Sequence, residues 1–261
     1  MDELEQKILE LGPENIMCVI AEPILASGGV IVPPTDYNYR CWQMVKKHEI
    51  TYIADEVVTA FGRLGHWFSS EKVFGIVPDI IIFAKGVTSG YIPMGGYAVS
   101  ESFLASFSGE NTEGCLYSNG YTWGGSPVAC AAALASWDII EKEKLLDRVL
   151  EIGPYFQEQL RSLLDIPLVG NVRGEGLMAA VEMTIEGHNE EDLLEKDYAI
   201  GEMVDQHCQT LGLLVRPFIN ICIISPPLII SREQVDELVS ILRHGLELTL
   251  TDLRYQGIWV D

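Results

Sequence analysis

Two apolar runs in this sequence each end on an ionisable group. Ile50-Thr51-Tyr52-Ile53-Ala54 stops at Asp55-Glu56, and Asp79-Ile80-Ile81-Ile82-Phe83-Ala84 stops at Lys85-Gly86. Lys85 is the only lysine between Lys72 and Lys142, with apolar chain before it and glycine-containing chain after it. A lysine partly withdrawn from water has a lowered pKa and becomes an amine nucleophile suited to Schiff-base chemistry. A carboxylate beside it can hold a positive charge in place. The same pattern also fits a buried salt bridge, or two charges reaching solvent from strand ends.

The elements that must position these groups are two strands. Short continuous apolar runs bounded by polar or turn residues suit strands buried on both faces of a parallel sheet, whose carboxyl ends line a ligand crevice. If the two strands are neighbours, Asp55 and Lys85 face one pocket. Ile16–Ala21 reads as a further strand ending at Glu22-Pro23, and Gly95–Ser100 as a fourth. Between them the sequence predicts helices over 2–11, with Leu4, Ile8, Leu9 and Leu11 on one side, and from a cap at Asp36 to about His48. Ser106–Gly120 is long, polar and rich in glycine, and reads as a surface or interface loop. Gly124-Gly125-Ser126-Pro127 opens an Ala-rich helix to about Lys144, with proline just inside its start. This alternation of strand and helix predicts an open α/β sheet.

From about residue 150 the pattern becomes helix, strand (Leu177–Met183), acidic linker, helix (Leu193–Leu211), strand (Leu213–Arg216 and Ile221–Ile224) and a last helix. Ser231 and Gln234 form a capping box for that helix, and Val235, Leu238, Leu242 and Leu246 its buried stripe. The expected division is residues 1–150 and a smaller α/β domain over 151–261. Gly174-x-Gly176 precedes a strand and is no dinucleotide fingerprint.

Composition excludes several classes. The chain has 261 residues, 48% of them hydrophobic, and a net charge of −21 that repels nucleic acid and anionic membrane. The six cysteines contain no Cys-x-x-Cys pair, which favours reduced thiols over a disulfide frame or zinc site. His207-Cys208, adjacent on a helix, points two ways and predicts no metal site. No apolar run approaches membrane-spanning length and no signal-peptide pattern opens the chain, so a cytoplasmic protein is expected.

A set of motifs then comes into register: Ala21-Glu22-Pro23, Asp55-Glu56-Val57 with Gly62-Arg63, Pro78-Asp79 running to Lys85-Gly86, Gly120-Tyr121-Thr122 before Gly125-Ser126-Pro127-Val128-Ala129-Cys130, Val172-Arg173-Gly174-Glu175-Gly176-Leu177, and Ser225-Pro226-Pro227-Leu228. In this order and spacing they resemble the class III pyridoxal-phosphate-dependent aminotransferases over almost the whole chain. The resemblance implies a fold-type-I architecture: a mostly parallel open sheet in a partial large domain, which binds pyridoxal phosphate, plus a small C-terminal α/β domain. It implies that Lys85 attaches the cofactor and then serves as general base, and that Asp55 pairs with the pyridinium nitrogen. Val57, two residues on, is expected on the same strand face, packed on the ring. Thr122 resembles the threonine that reaches the cofactor phosphate of the neighbouring subunit, which implies a homodimer with shared active sites.

Substrate class follows from arginine placement. Relatives acting on ornithine-like substrates carry arginine where this chain has Ile223, three residues before Pro226-Pro227. Arg216 instead matches the mobile arginine of amine– and ω-amino-acid–pyruvate aminotransferases, a guanidinium that grips a substrate carboxylate bidentately. Glu22 and Arg173 are expected to be structural. Family members also carry about one further domain of chain, on the order of 100–200 residues, before the position matching Met1. That part holds the phosphate cup and the aromatic that stacks on the pyridine ring, so the sequence is expected to be a fragment or to be completed by a second polypeptide. The reaction expected is transamination between an amine or ω-amino acid and pyruvate or another 2-oxo acid. The alternatives are an aminomutase or racemase on the same fold, and a catalytically silent fragment kept as a binding module.

Overall fold

The computed structural model describes residues 2–105, 107, 119–184 and 190–259. The chain forms two compact units: Met1–Ile24 with Pro33–Leu146, and Leu25–Val32 with Asp147–Asp261. Most of the loop expected over 106–120, residues 185–189 of the acidic linker, and Cys115 lie outside the described residues.

In the first unit, α1 (Asp2–Leu11), β1 (Cys18–Ala21), α2 (Tyr37–Lys47), β2 (Thr51–Asp55), α3 (Ser69–Phe74), β3 (Ile80–Phe83), β4 (Gly96–Val99), α4 (Glu101–Ala105) and α5 (Pro127–Lys142) follow in order. The strands form one sheet, β1-β2-β3-β4, with β1, β2 and β3 parallel and β4 antiparallel to β3. Asp79 sets the start of β3. Its carboxylate accepts from the Tyr52 N–H at 2.8 Å and from Lys46 Nζ, while its own N–H donates to Tyr52 O at 2.9 Å. Asp36 occupies the N-cap position of α2, but in a left-handed conformation and without a side-chain cap bond, so α2 starts with no hydroxyl or carboxylate on its free N–H groups.

The expectation that these strands are buried on both faces is corrected. Tyr52 and Ala54 are buried against Ile8, Val45, Ile50 and Ile76, with α1 and α2 over that face. The opposite face carries Ile20, Ile53, Ile80 and Val99, aligned across all four strands by the register. Ile53 and Ile80 there are only partly buried, and Ile20 is 55% and Val99 37% exposed. The runs are continuously apolar, yet among the described residues helices shield one side.

The second unit holds α6 (Leu145–Arg161), β5 (Val169–Glu175), β6 (Met178–Met183), α7 (Glu190–Thr210), β7 (Arg216–Phe218), β8 (Ile221–Ile224) and α8 (Arg232–Tyr255). Its sheet runs β5-β6-β8-β7, antiparallel throughout. Side chains of α6, α7 and α8, among them Phe156, Val204, Leu242 and Leu246, share one core with Val181, Met183 and Cys222 of the sheet. β5 is unanticipated from sequence, because Gly170 and Gly174 break its apolar pattern. Gly201 in α7 faces the carbonyl oxygen of Ile219 so closely that no Cβ fits there. The Ser231–Gln234 capping box opens α8 as expected, with Val235, Leu242 and Leu246 buried and Leu238 partly so.

Residues 25–32 form a small bend closed by a bridge between Leu25 and Ile31. Arg173 holds it, donating from Nε to Gly29 O at 2.9 Å while the guanidinium pairs with Glu182 and reaches Asn171 Oδ1. Arg173 thus orders this unit.

Candidate active site

Asp55 is the last residue of β2 and stands opposite Ile82 in the parallel ladder with β3. Lys85 follows two residues after β3 ends and begins a short 3-10 helix, Lys85–Thr88. Both groups therefore leave the sheet at its carboxyl edge from adjacent strands, the position where open α/β sheets bind ligands. Lys85 has a φ of 38°, in the left-handed region that residues with a Cβ rarely occupy. That φ takes it out of the strand pleat, so strand alternation no longer dictates where its amine points. The next residue, Gly86, passes so near Phe61 that a Cβ there would lie 2.9 Å from the Phe61 Cβ.

Asp55 and Lys85 are brought to one edge but not paired with each other. The salt-bridge reading is thereby removed. Lys85 is exposed and makes no hydrogen bond or ion pair among the described residues, so the desolvation expected for it is not seen. Asp55 is half-buried, and its Oδ1 accepts the Val57 N–H at 3.1 Å. Its second oxygen has no partner among the described residues. Val57 is not on the strand: β2 has ended and Val57 lies in the following turn, tied back to the carboxylate it was expected to accompany along the strand.

Sequence reasoning missed the group that fixes this turn. Glu56 is fully buried, and its carboxylate collects five donors. Oε2 accepts from Ser69 N at 2.6 Å, Ser69 Oγ at 2.7 Å and Thr59 Oγ1 at 3.1 Å. Oε1 accepts from Ser70 N at 2.8 Å and Ser70 Oγ at 2.5 Å. The carboxylate sits on the first N–H groups of α3, where a negative charge is favoured and orphan donors are satisfied. The available signal was Ser69-Ser70, a hydroxyl pair opening a short helix.

Beneath the Lys85 turn lies an aromatic cluster of Phe61, Trp67, Phe68, Phe83 and Trp137. Thr122 sits in the turn before α5, exposed, its hydroxyl without a partner among the described residues. Arg216 opens β7 in the second unit and is exposed and unpaired among the described residues. Glu22 follows β1, partly buried. Among the described residues no group of His, Cys, Asp and Glu is arranged to hold a metal ion, and no helix is long and apolar enough to cross a membrane.

Known proteins supply the context for this arrangement. Residues 1–246 match the family described as Aminotransferase class-III. The putrescine–pyruvate aminotransferase of Pseudomonas aeruginosa is 42% identical over 249 residues, which are 95% of this chain and 53% of that protein. A mitochondrial gamma-aminobutyrate transaminase 1 of Oryza sativa subsp. indica is 38% identical over 95% of this chain and 48% of its own length. Among solved structures, an amine transaminase from an uncultivated Pseudomonas species, in its PLP-bound form, superposes with a TM-score of 0.87 at 38% identity, covering 95% of this chain and 56% of that one. The chain belongs to the class III aminotransferase family and has the fold-type-I architecture of its pyridoxal-phosphate-dependent members. It spans about half the length of the curated relatives it matches.

The residues present fit that cofactor. An aldehyde needs a free amine and a pyridinium needs a free carboxylate oxygen, and the sheet edge offers both, each without a protein partner among the described residues.

Proposed function

We propose that this chain carries the lysine-bearing part of a pyridoxal-phosphate-dependent aminotransferase acting between an amine or ω-amino acid and pyruvate or another 2-oxo acid. The observation behind this reading is the pair of uncommitted groups, Lys85 Nζ and an Asp55 oxygen, at neighbouring ends of parallel strands. When bound, pyridoxal phosphate supplies an electron sink through which an amino group can pass from one substrate to the next. Lys85 would hold it through Nζ and, as a free amine, would take up and give back a proton at the same atom. The second Asp55 oxygen would pair with the protonated ring nitrogen, and the Val57 N–H on the first keeps the carboxylate turned. Val57 would lie beside the ring, Thr122 would donate its hydroxyl to the cofactor phosphate of the neighbouring subunit, and Arg216 would grip a substrate carboxylate.

On the same reading, residues 1–150 serve as the cofactor-binding domain and 151–261 as the small domain, in a cytoplasmic homodimer with shared sites. The likeness to a putrescine–pyruvate aminotransferase supports pyruvate as acceptor. The exposure of Lys85 is what favours the second reading, a silent binding module.

The chain is incubated with millimolar pyridoxal phosphate, reduced with borohydride and mapped by mass spectrometry. The first reading expects a visible band and a pyridoxyl adduct at Lys85, both abolished by Lys85→Ala. No band and no adduct would leave the silent module standing.

A further inference from the structure

The turn that presents Lys85 is held by local bonds, among them Thr88 Oγ1 to Ile92 O at 2.7 Å, and by groups from elsewhere in the chain. It is a single stretch of 3-10 helix closed by Val87 N to Ala84 O at 3.0 Å and Ser89 N to Gly86 O at 3.1 Å. Left-handed non-glycine residues flank it, Lys85 at a φ of 38° and Ser89 at 51°. Residues in that region carry strain that persists only where surrounding structure holds them.

The holding groups come from α5, about fifty residues further along the chain. Trp137 Nε1–H donates to the Val87 carbonyl at 3.0 Å. Ser136, the preceding residue, lies with its hydroxyl 2.6 Å from that of Ser89. Consecutive helix positions diverge by about 100°, so the two side chains take hold of the turn at separate points. Val87 and Thr88 are almost wholly buried, so water competes little for the Trp137 bond, while the Ser136 bond joins a hydroxyl 8% exposed to that of Ser89, which is exposed. The Trp137 ring also stacks on Phe61, with centroids 5.9 Å apart and planes 19° apart. Phe61 in turn abuts Gly86, where there is no room for a Cβ.

We propose that Trp137, with Ser136 beside it, is a positioning residue for Lys85, fixing the strained turn so that the amine is presented in one direction. This rests on the reading of Lys85 as the cofactor-holding lysine. Trp137 acts through the backbone of Val87 and need not touch cofactor or substrate.

Three variants test it: Trp137→Phe, which keeps an aromatic ring but removes the donor, Ser136→Ala, which removes the other anchor, and Trp67→Phe as control. Trp67 lies in the same aromatic cluster, and its indole makes no bond to the turn. Without cofactor, hydrogen exchange at the Val87 and Ser89 amides is expected to be about tenfold faster in Trp137→Phe, as for a buried hydrogen bond lost, faster by a smaller factor in Ser136→Ala, and unchanged in the control. With pyridoxal phosphate, the visible circular dichroism per mole of cofactor attached at Lys85 is expected to fall by more than half in Trp137→Phe and to hold in the control. Should Trp137→Phe fail to fold, Ser136→Ala carries both measurements. Folded variants that keep wild-type exchange and dichroism overturn this inference while leaving Lys85 as the attachment site. Absence of attachment in the wild type removes the Lys85 reading and this inference with it.

Discussion

Asp55 and Lys85 leave adjacent parallel strands at the same sheet edge, yet they form no ion pair and neither is consumed by another charged side chain among the described residues. A structural salt bridge would have used both groups up. Left as they are, each can be changed without orphaning a charged partner, the Val57 N–H on Asp55 being the one contact involved, so function and stability are separable here.

Asp55→Asn tests that separation. The variant should unfold within about 1 kcal/mol of the wild type, since only the Val57 N–H contact changes. Its amino-transfer rate should drop by roughly a hundredfold or more, the scale on which preorganised electrostatic partners act. Denaturant titration beside single-turnover kinetics of the native polypeptide checks both; a large stability loss would mean that Asp55 is structural.

Glu56 behaves in the opposite way. Glu56→Ala strands five donors in a buried site and should destabilise the first unit by about 3–5 kcal/mol. Glu56→Gln keeps one acceptor oxygen but turns an amide against the remaining donors, and should fall between the two. Urea unfolding of the three proteins, followed by tryptophan fluorescence, gives the ranking.

Arg216→Ala should leave stability unchanged within about 0.5 kcal/mol, the usual range for exposed side chains with no structural partner. For the 2-oxo acid half-reaction KM should rise about tenfold or more, as when a charged bond to a carboxylate is lost. The half-reaction with a simple amine should change little. Equal effects on both halves would remove Arg216 from carboxylate recognition.

The two buried thiols of the second unit set an alkaline limit. Burial pushes Cys208 up to about 11 and Cys222 further in the same direction, with the nearby Asp205 and, for Cys222, the neighbouring Cys208 adding to it. The unfolded thiols ionise near 9. Between about 9 and 11 the unfolded chain therefore holds fewer protons than the folded one, and stability falls as pH rises through that window. It is fully present below about 9. Urea midpoints at pH 8 and pH 10.5 should show the decline, with a shallower slope in Cys208→Ala. At pH 8 native Cys208 carries about a hundredfold less thiolate than a free cysteine, so Ellman's reagent should reach it only after unfolding.

Much of this organisation was readable in advance where a local pattern and a long-range one agree. Strands β2 and β3 are apolar runs that stop on a charge, and α8 announces itself through Ser231 and Gln234. What stayed hidden depends on chain far away in sequence. The Glu56 carboxylate needs Ser69 and Ser70, and the Lys85 turn needs Ser136 and Trp137. A continuous apolar run reports what a strand is made of but not whether both of its faces are covered, and Ile20 and Val99 show the difference. Val57 left the strand because the Asp55 side chain offers its N–H a local acceptor, a competition that period-two counting ignores.

The excursion of residues 25–32 constrains how the molecule can be dissected. Because the first unit is interrupted there and resumes at Pro33, the polypeptide passes between the units three times. One nick at Leu146–Asp147 would leave two peptide crossings intact. A clone beginning at Asp147 would lack the bend whose Gly29 carbonyl receives Arg173. Separate production of both halves in native form therefore calls for a circular rearrangement or a grafted linker in place of the bend, and a simple stop codon between them will not suffice.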